Sequence, residues 1–129
     1  MVVDSSVLIC ILLAEPEAEY YANLLVDADV FISAVSIVES AMVIEYKRGV
    51  QGAIEYDELL NILDPTIIAF DRDQANLARA AWRQYGKGRH PAKLNFGDCC
   101  SYAAAKHLNK PLLFKGVDST PKFNRKYSD

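Results

Sequence analysis

MVVDSSVLI, residues 1–9, sets the architecture of the chain. Met1 to Val3 are apolar and β-prone, Asp4 follows at once, and after two serines an apolar run continues from Val7 to Leu13. A short apolar strand ending in a carboxylate, with Ser5 or Ser6 placed to cap the next helix, is the opening of a βα unit. In open α/β sheets ligands bind outside the carboxyl ends of the strands, which is where Asp4 would sit. Taken alone, Asp4 reads first as a turn or cap residue. The positions of the other acids change that balance.

Outward from this stretch, strands and helices alternate. Val7–Ala14 reads as a short helix, and Glu15-Pro16-Glu17 starts a second that runs to about Val26, with Tyr20, Leu24 and Leu25 on its buried face. Val30–Ile32 is a second strand. Ser33 or Ser36 then starts a helix that Lys47, Arg48 and Gly49 close. Val50–Leu63 is helical, with Ile54, Leu59, Ile62 and Leu63 as its stripe, and Asp64-Pro65 breaks it. Thr66–Phe70 is a β-branched strand, and Asp71 caps a helix through about Tyr85. Gly86 to Pro91 is a basic, glycine-punctuated loop. An alanine-rich helix runs from Gly97-Asp98 to Leu108, with Asn109 as a left-handed terminator before the strand Pro111–Phe114. This order predicts an α/β fold whose parallel sheet is covered by helices on both faces.

At 129 residues the chain is expected to be one domain over 1–129, with about 121–129 a polar, poorly ordered tail. No apolar run approaches the ~20 residues that span a bilayer, and the first charge is Asp4 rather than a basic signal-peptide region. Cys10, Cys99 and Cys100 form no CxxC pair and read as reduced thiols of a cytoplasmic protein. The net charge of −3 hides an asymmetry. Residues 1–73 carry 14 acids and 3 Lys or Arg, a balance of −11; residues 74–129 carry 3 acids and 11 Lys or Arg, a balance of +8. Such a division fits a polyanion-binding surface on an acidic body, or more simply a solvated helix face and a basic loop.

The acids fall where a parallel sheet would gather them. Asp4 ends the first strand, Glu39 lies in the first turns of the helix after the second, and Asp118 follows the last. Asp98 joins them if its helix N-terminus points the same way, which periodicity leaves open. Each has a simpler reading. Ser36-x-x-Glu39 matches a capping box, and Asp118 suits an Asx-turn leading to Pro121. Four carboxylates at one edge repel one another unless a hard divalent cation neutralises them, and oxygen-only ligands favour Mg²⁺ or Mn²⁺ over zinc. Lys87, Arg89, His90 and Lys93 are placed to hold the phosphates of a polyanion, which would make binding salt-dependent. His107, late on its helix, reads as a surface or structural residue.

VVDSSVLI, the SIVES segment around Glu39, the block GKGRHPAKLNFGDCCSYAAAKHLNKPLLFKG and the Asp beyond it together resemble the PIN-domain ribonucleases, in particular the VapC-type toxins of toxin–antitoxin operons. The resemblance spans Val2 to Asp118 and is most specific from Gly86 to Gly116. It implies a three-layer α/β/α sandwich with a central, mainly parallel sheet. It further implies metal-dependent endonucleolytic cleavage of RNA, tRNA or ribosomal RNA among its targets, inhibition by a cognate antitoxin, and dimerisation. The family's acidic metal site falls on Asp4, Glu39, Asp98 and Asp118, and its small hydroxyl residue on Ser6. The chain departs from the family at Gly116-Val117-Asp118-Ser119, which lacks the usual polar neighbour and aromatic.

Other classes fit less well. A phosphoaspartyl phosphatase of the haloacid-dehalogenase kind needs a second carboxylate two residues after Asp4, where Ser6 stands. A receiver-type signalling domain places an acidic pair after its first strand, where Ser5 and Ser6 stand. A catalytically impaired PIN-like module that only binds RNA or protein differs by whether all four acids hold metal.

Overall fold

The computed structural model describes residues 1–116 and the backbone of residues 121–123. In chain order the elements are β1 (Val2–Val3), α1 (Ser5–Leu12), α2 (Ala18–Leu25), β2 (Phe31–Ser33), α3 (Ala34–Leu63), β3 (Thr66–Ile68), α4 (Arg72–Tyr85), α5 (Phe96–Leu108), β4 (Leu112–Lys115) and β5 (Pro121–Phe123). The sheet has the order β3-β2-β1-β4-β5. Its first four strands are parallel, with Val2 opposite Phe31 on one side and Leu112 on the other.

Alternation along these strands builds a layer on each face, since successive side chains point oppositely. Val3, Ile32 and Leu113 join Val7, Leu8, Tyr21 and Leu25 in a core beneath α1 and α2, onto which Ile37, Leu59, Leu60 and Leu63 of α3 pack. Val2 and Leu112 turn to the opposite face, against Ala104 and Ala105 of α5. Alanines there let α5 lie close to the sheet. Behind it, Ala81 of α4 packs with Cys99 and Tyr102. The result is the expected three-layer α/β/α sandwich.

Several local expectations shift. Asp4 itself caps α1, accepting the Ser6 N–H at 3.0 Å, so neither Ser5 nor Ser6 is the cap. Asp ranks with Ser at this position, and the strand end already holds Asp4 extended. On α2 the buried tyrosine is Tyr21, while Tyr20 is exposed. Gly49, at φ 62°, breaks α3 where the sequence places a helix end. In the second half of α3, Leu59 and Leu63 face the core but Ile54 and Ile62 are exposed. Residues 121–123, read from sequence as tail, pair antiparallel with β4 and cover its edge. A proline at the first position of an edge strand forfeits no needed N–H, but so short a segment carries no periodicity to announce it.

Candidate active site at the carboxyl edge of the sheet

Asp4 leaves β1 with φ −75° and ψ 154° and is buried. Its Oδ2 serves the cap, and its Oδ1 accepts the Ser101 hydroxyl of α5 at 2.5 Å. Ser101 lies 3.1 Å from the Ser36 hydroxyl of α3. A hydroxyl has one proton to give, and Ser101 gives it to Asp4, so Ser36 donates to Ser101. A buried relay from Ser36 through Ser101 to Asp4 thus ties three elements together.

Ser33 caps α3, accepting the Val35 N–H at 3.3 Å, which corrects the reading of Ser36-x-x-Glu39 as a capping box. Glu39 instead reaches across to α1, where its Oε1 accepts the Ser5 hydroxyl at 2.5 Å. Its carboxylate lies against Gly97 so closely that a Cβ there would overlap it. The capping box belongs to α5: Asn95 accepts the Asp98 N–H at 2.9 Å and Asp98 accepts the Asn95 N–H at 3.0 Å. The approach of Glu39 to Gly97 and the cavity that Asp98 shares with Asp4 place the N-terminus of α5 at this edge, with Asp98 near Asp4 and Glu39.

Their closeness has an electrostatic signature. The Asp98 carboxyl is pushed up from 3.8 to about 6, chiefly by burial and further by the charges of Asp4 and Glu39, against the lowering effect of the Asn95 N–H. In metal-free protein the folded state thus binds a proton on Asp98 more tightly than the unfolded chain. The stability this group contributes is greatest below about pH 4, falls as pH rises to about 6, and is level above that. In urea titrations the stability of wild type relative to Asp98→Asn should decline through that window. A pH-independent difference would remove the basis for the shift.

Ser6, expected to support the site, accepts the Lys115 N–H at 3.0 Å and pins α1 to the end of β4. The Lys115 ammonium meets Glu15 at 2.8 Å and Glu17 at 3.0 Å. Asp118 lies outside the described residues. The four basic candidates separate. Lys93 lines a cavity of about 180 Å³ together with Asp4 and Asp98. Lys87 and Arg89 line a neighbouring cleft, where the Arg89 guanidinium lies 4.2 Å from the centre of the Trp82 ring. His90 is spent within its own loop: Nδ1 accepts the Ala92 N–H at 2.9 Å and the ring meets Tyr85 edge-on. His107 is exposed, and the three cysteines are buried and free.

In chemistry the donors fit a hard divalent cation, being oxygen-only carboxylates whose charges oppose one another. In spacing, no three His, Cys, Asp or Glu side chains among the described residues stand close enough to hold one. Serines hold Asp4 and Glu39, and Asn95 holds Asp98. Sequence reasoning overlooked Ser101, Gly97 and Asn95. Two of them carried a signal: Asn95-x-x-Asp98 is a capping pattern, and Ser101 lies one turn past Asp98 on the same helix face.

The chain is thus an α/β protein that gathers acidic side chains at the carboxyl edge of its sheet. The PIN domain family model matches residues 1–122, and the chain belongs to that family. A protein named ribonuclease VapC from Mycolicibacterium smegmatis is 49% identical over 117 residues, 90% of this chain and 91% of that protein. Ribonuclease VapC30 of Mycobacterium tuberculosis is 48% identical over 120 residues, 92% of this chain and 91% of its own. The crystal structure of Mycobacterium tuberculosis VapC20, described as a sarcin–ricin-loop-cleaving toxin, superposes with a TM-score of 0.71 at 15% identity, covering 91% of this chain and 90% of that one. At that identity the likeness concerns the fold.

Proposed function

We propose that this chain is a metal-dependent endoribonuclease and the toxin of a toxin–antitoxin pair. The observation that carries the reading is the placement of Asp4, Glu39 and Asp98 at one edge of the sheet, near enough that the charges of Asp4 and Glu39 act on Asp98, supported by relatives near half identity that are named ribonucleases. Asp4, Glu39, Asp98 and Asp118 would hold Mg²⁺ or Mn²⁺, which when bound polarises a phosphodiester and activates water for in-line attack. The chain's own residues prepare that chemistry. Ser101 and Ser5 orient two carboxylates, the α5 N-terminus favours negative charge beside it, and Lys93 at the same cavity meets the RNA phosphate. No side chain there is needed as a nucleophile.

Transfer RNA or ribosomal RNA is the proposed substrate class, the cytoplasm the proposed setting, and a homodimer the proposed assembly. An antitoxin protein is the proposed inhibitor, a partner for which α3 leaves Val38, Met42 and Tyr46 exposed on successive turns. Among the described residues no helix is long and apolar enough to cross a membrane. Purified, antitoxin-free protein should cut total RNA into discrete fragments with Mg²⁺ or Mn²⁺ and stop with EDTA. A folded protein that binds RNA and never cuts it would favour the impaired binding module.

A further inference from the structure

Beside the carboxylates, α4 and the start of α5 bound a second cleft of about 730 Å³, within the ~300–1,000 Å³ typical of small-molecule sites. Three rings line it: Phe70, half-buried, and the two exposed ones, Trp82 at 45% and Phe96 at 73% exposure. Arg79, Arg83, Lys87 and Arg89 line it as well, all exposed, and no carboxylate of the described residues does. Trp82 is held in place: the Arg89 guanidinium lies over the ring, and a Cβ at Gly86 would overlap the Trp82 carbonyl and indole. Phe96 stands two residues before Asp98, and Leu94 lines both this cleft and the carboxylate cavity.

We propose that this cleft is a base-binding subsite, in which an unpaired nucleobase of single-stranded RNA stacks on Trp82 and Phe96 while the four cations hold the flanking phosphates. The proposal rests on the RNA-directed reading above and adds how the strand is gripped. An apolar slot rimmed by positive charge matches a flat ring on an anionic backbone, the pairing of stacking platform and electrostatic groove that single-strand binding uses. A second copy of this chain would bring the same four cations to the same rim, and like charges oppose that contact. An acidic peptide would satisfy the cations but bring no flat ring to the aromatics.

The test runs in EDTA, so that failure of the nuclease reading leaves it intact. Trp82 is the only tryptophan, so its fluorescence reports the cleft directly. Single-stranded oligoadenylate of roughly ten nucleotides should quench it, and a fully abasic oligomer of equal charge should bind more weakly without quenching. By anisotropy of labelled oligoadenylate, Trp82→Ala and Phe96→Ala should each weaken binding by between about 5-fold and 100-fold, and Trp82→Phe should restore most of it. Phe96 is exposed enough that its truncation leaves the fold, checked by circular dichroism, as a control. Equal binding of the abasic oligomer would overturn the proposal, as would equal quenching by polyglutamate. So would a Phe96→Ala protein that sediments as a smaller species than wild type with its oligoadenylate affinity unchanged.

Discussion

Asp4→Asn should lower RNA cleavage by at least about 100-fold, the upper end of what removing an outer partner of a metal site costs, while stability changes by no more than about 1 kcal/mol. The two effects part because Asp4 performs two separable tasks. As N-cap it offers Oδ2 to the Ser6 N–H, and Asn caps a helix as well as Asp. Its other oxygen accepts from Ser101, and in the variant the amide would donate to that same hydroxyl. Ser101 then turns its proton to Ser36, so the buried relay reverses direction and the Ser36 proton alone loses its acceptor, a cost of about 1 kcal/mol. The negative charge is the larger loss. Thermal melting alongside cleavage rates checks this. Loss of rate in step with loss of stability would reduce Asp4 to a structural cap, and an unchanged rate would remove it from the site. Asp4→Ala, which deletes cap and charge together, should lose both.

That double duty also explains what could be read from the sequence. β1, the α1 that follows, and the return strands β2 and β4 were legible because apolar runs of three or four residues sit between turn signals, and the four-fold alternation leaves little besides a parallel sheet. Asp4, Glu39 and Asp98 were legible as acids falling at element ends. Their partners were not. Ser5 looked like a cap and proved to be the Glu39 donor, because capping and cross-element bonding ask for the same hydroxyl. Ser36 looked like the start of a capping box and proved to be a buried link 65 residues from its partner Ser101, a pairing no local pattern encodes. The division of the basic residues was equally hidden. Lys93 and Arg89 stand four apart in one loop, yet the Tyr85–Leu94 and Lys87–Leu94 backbone bonds fold that loop so that they line different cavities.

Gly97→Ala should separate activity from stability in the opposite way to most substitutions beside a buried site. Gly97 is the second residue of α5, where alanine is favoured over glycine by up to about 1 kcal/mol. The three atoms that the added methyl would meet first all belong to the Glu39 carboxylate. That carboxylate is the end of a flexible side chain, so it moves rather than the helix. Moving it breaks the bond from Ser5, a loss of roughly 1 kcal/mol that offsets the helical gain. The melting temperature should therefore stay near that of wild type. Cleavage should fall by about 10- to 100-fold, because Glu39 is displaced from its place beside Asp98 and the α5 N-terminus. Glu39→Gln should lose activity to a similar degree, and the Gly97→Ala/Glu39→Gln double variant should lose little more than either single one, since both remove the same group. Losses that multiply in the double variant would mean that Gly97 acts through something other than Glu39. A fully active Gly97→Ala protein would mean that the close approach of the carboxylate to α5 is not required for the chemistry.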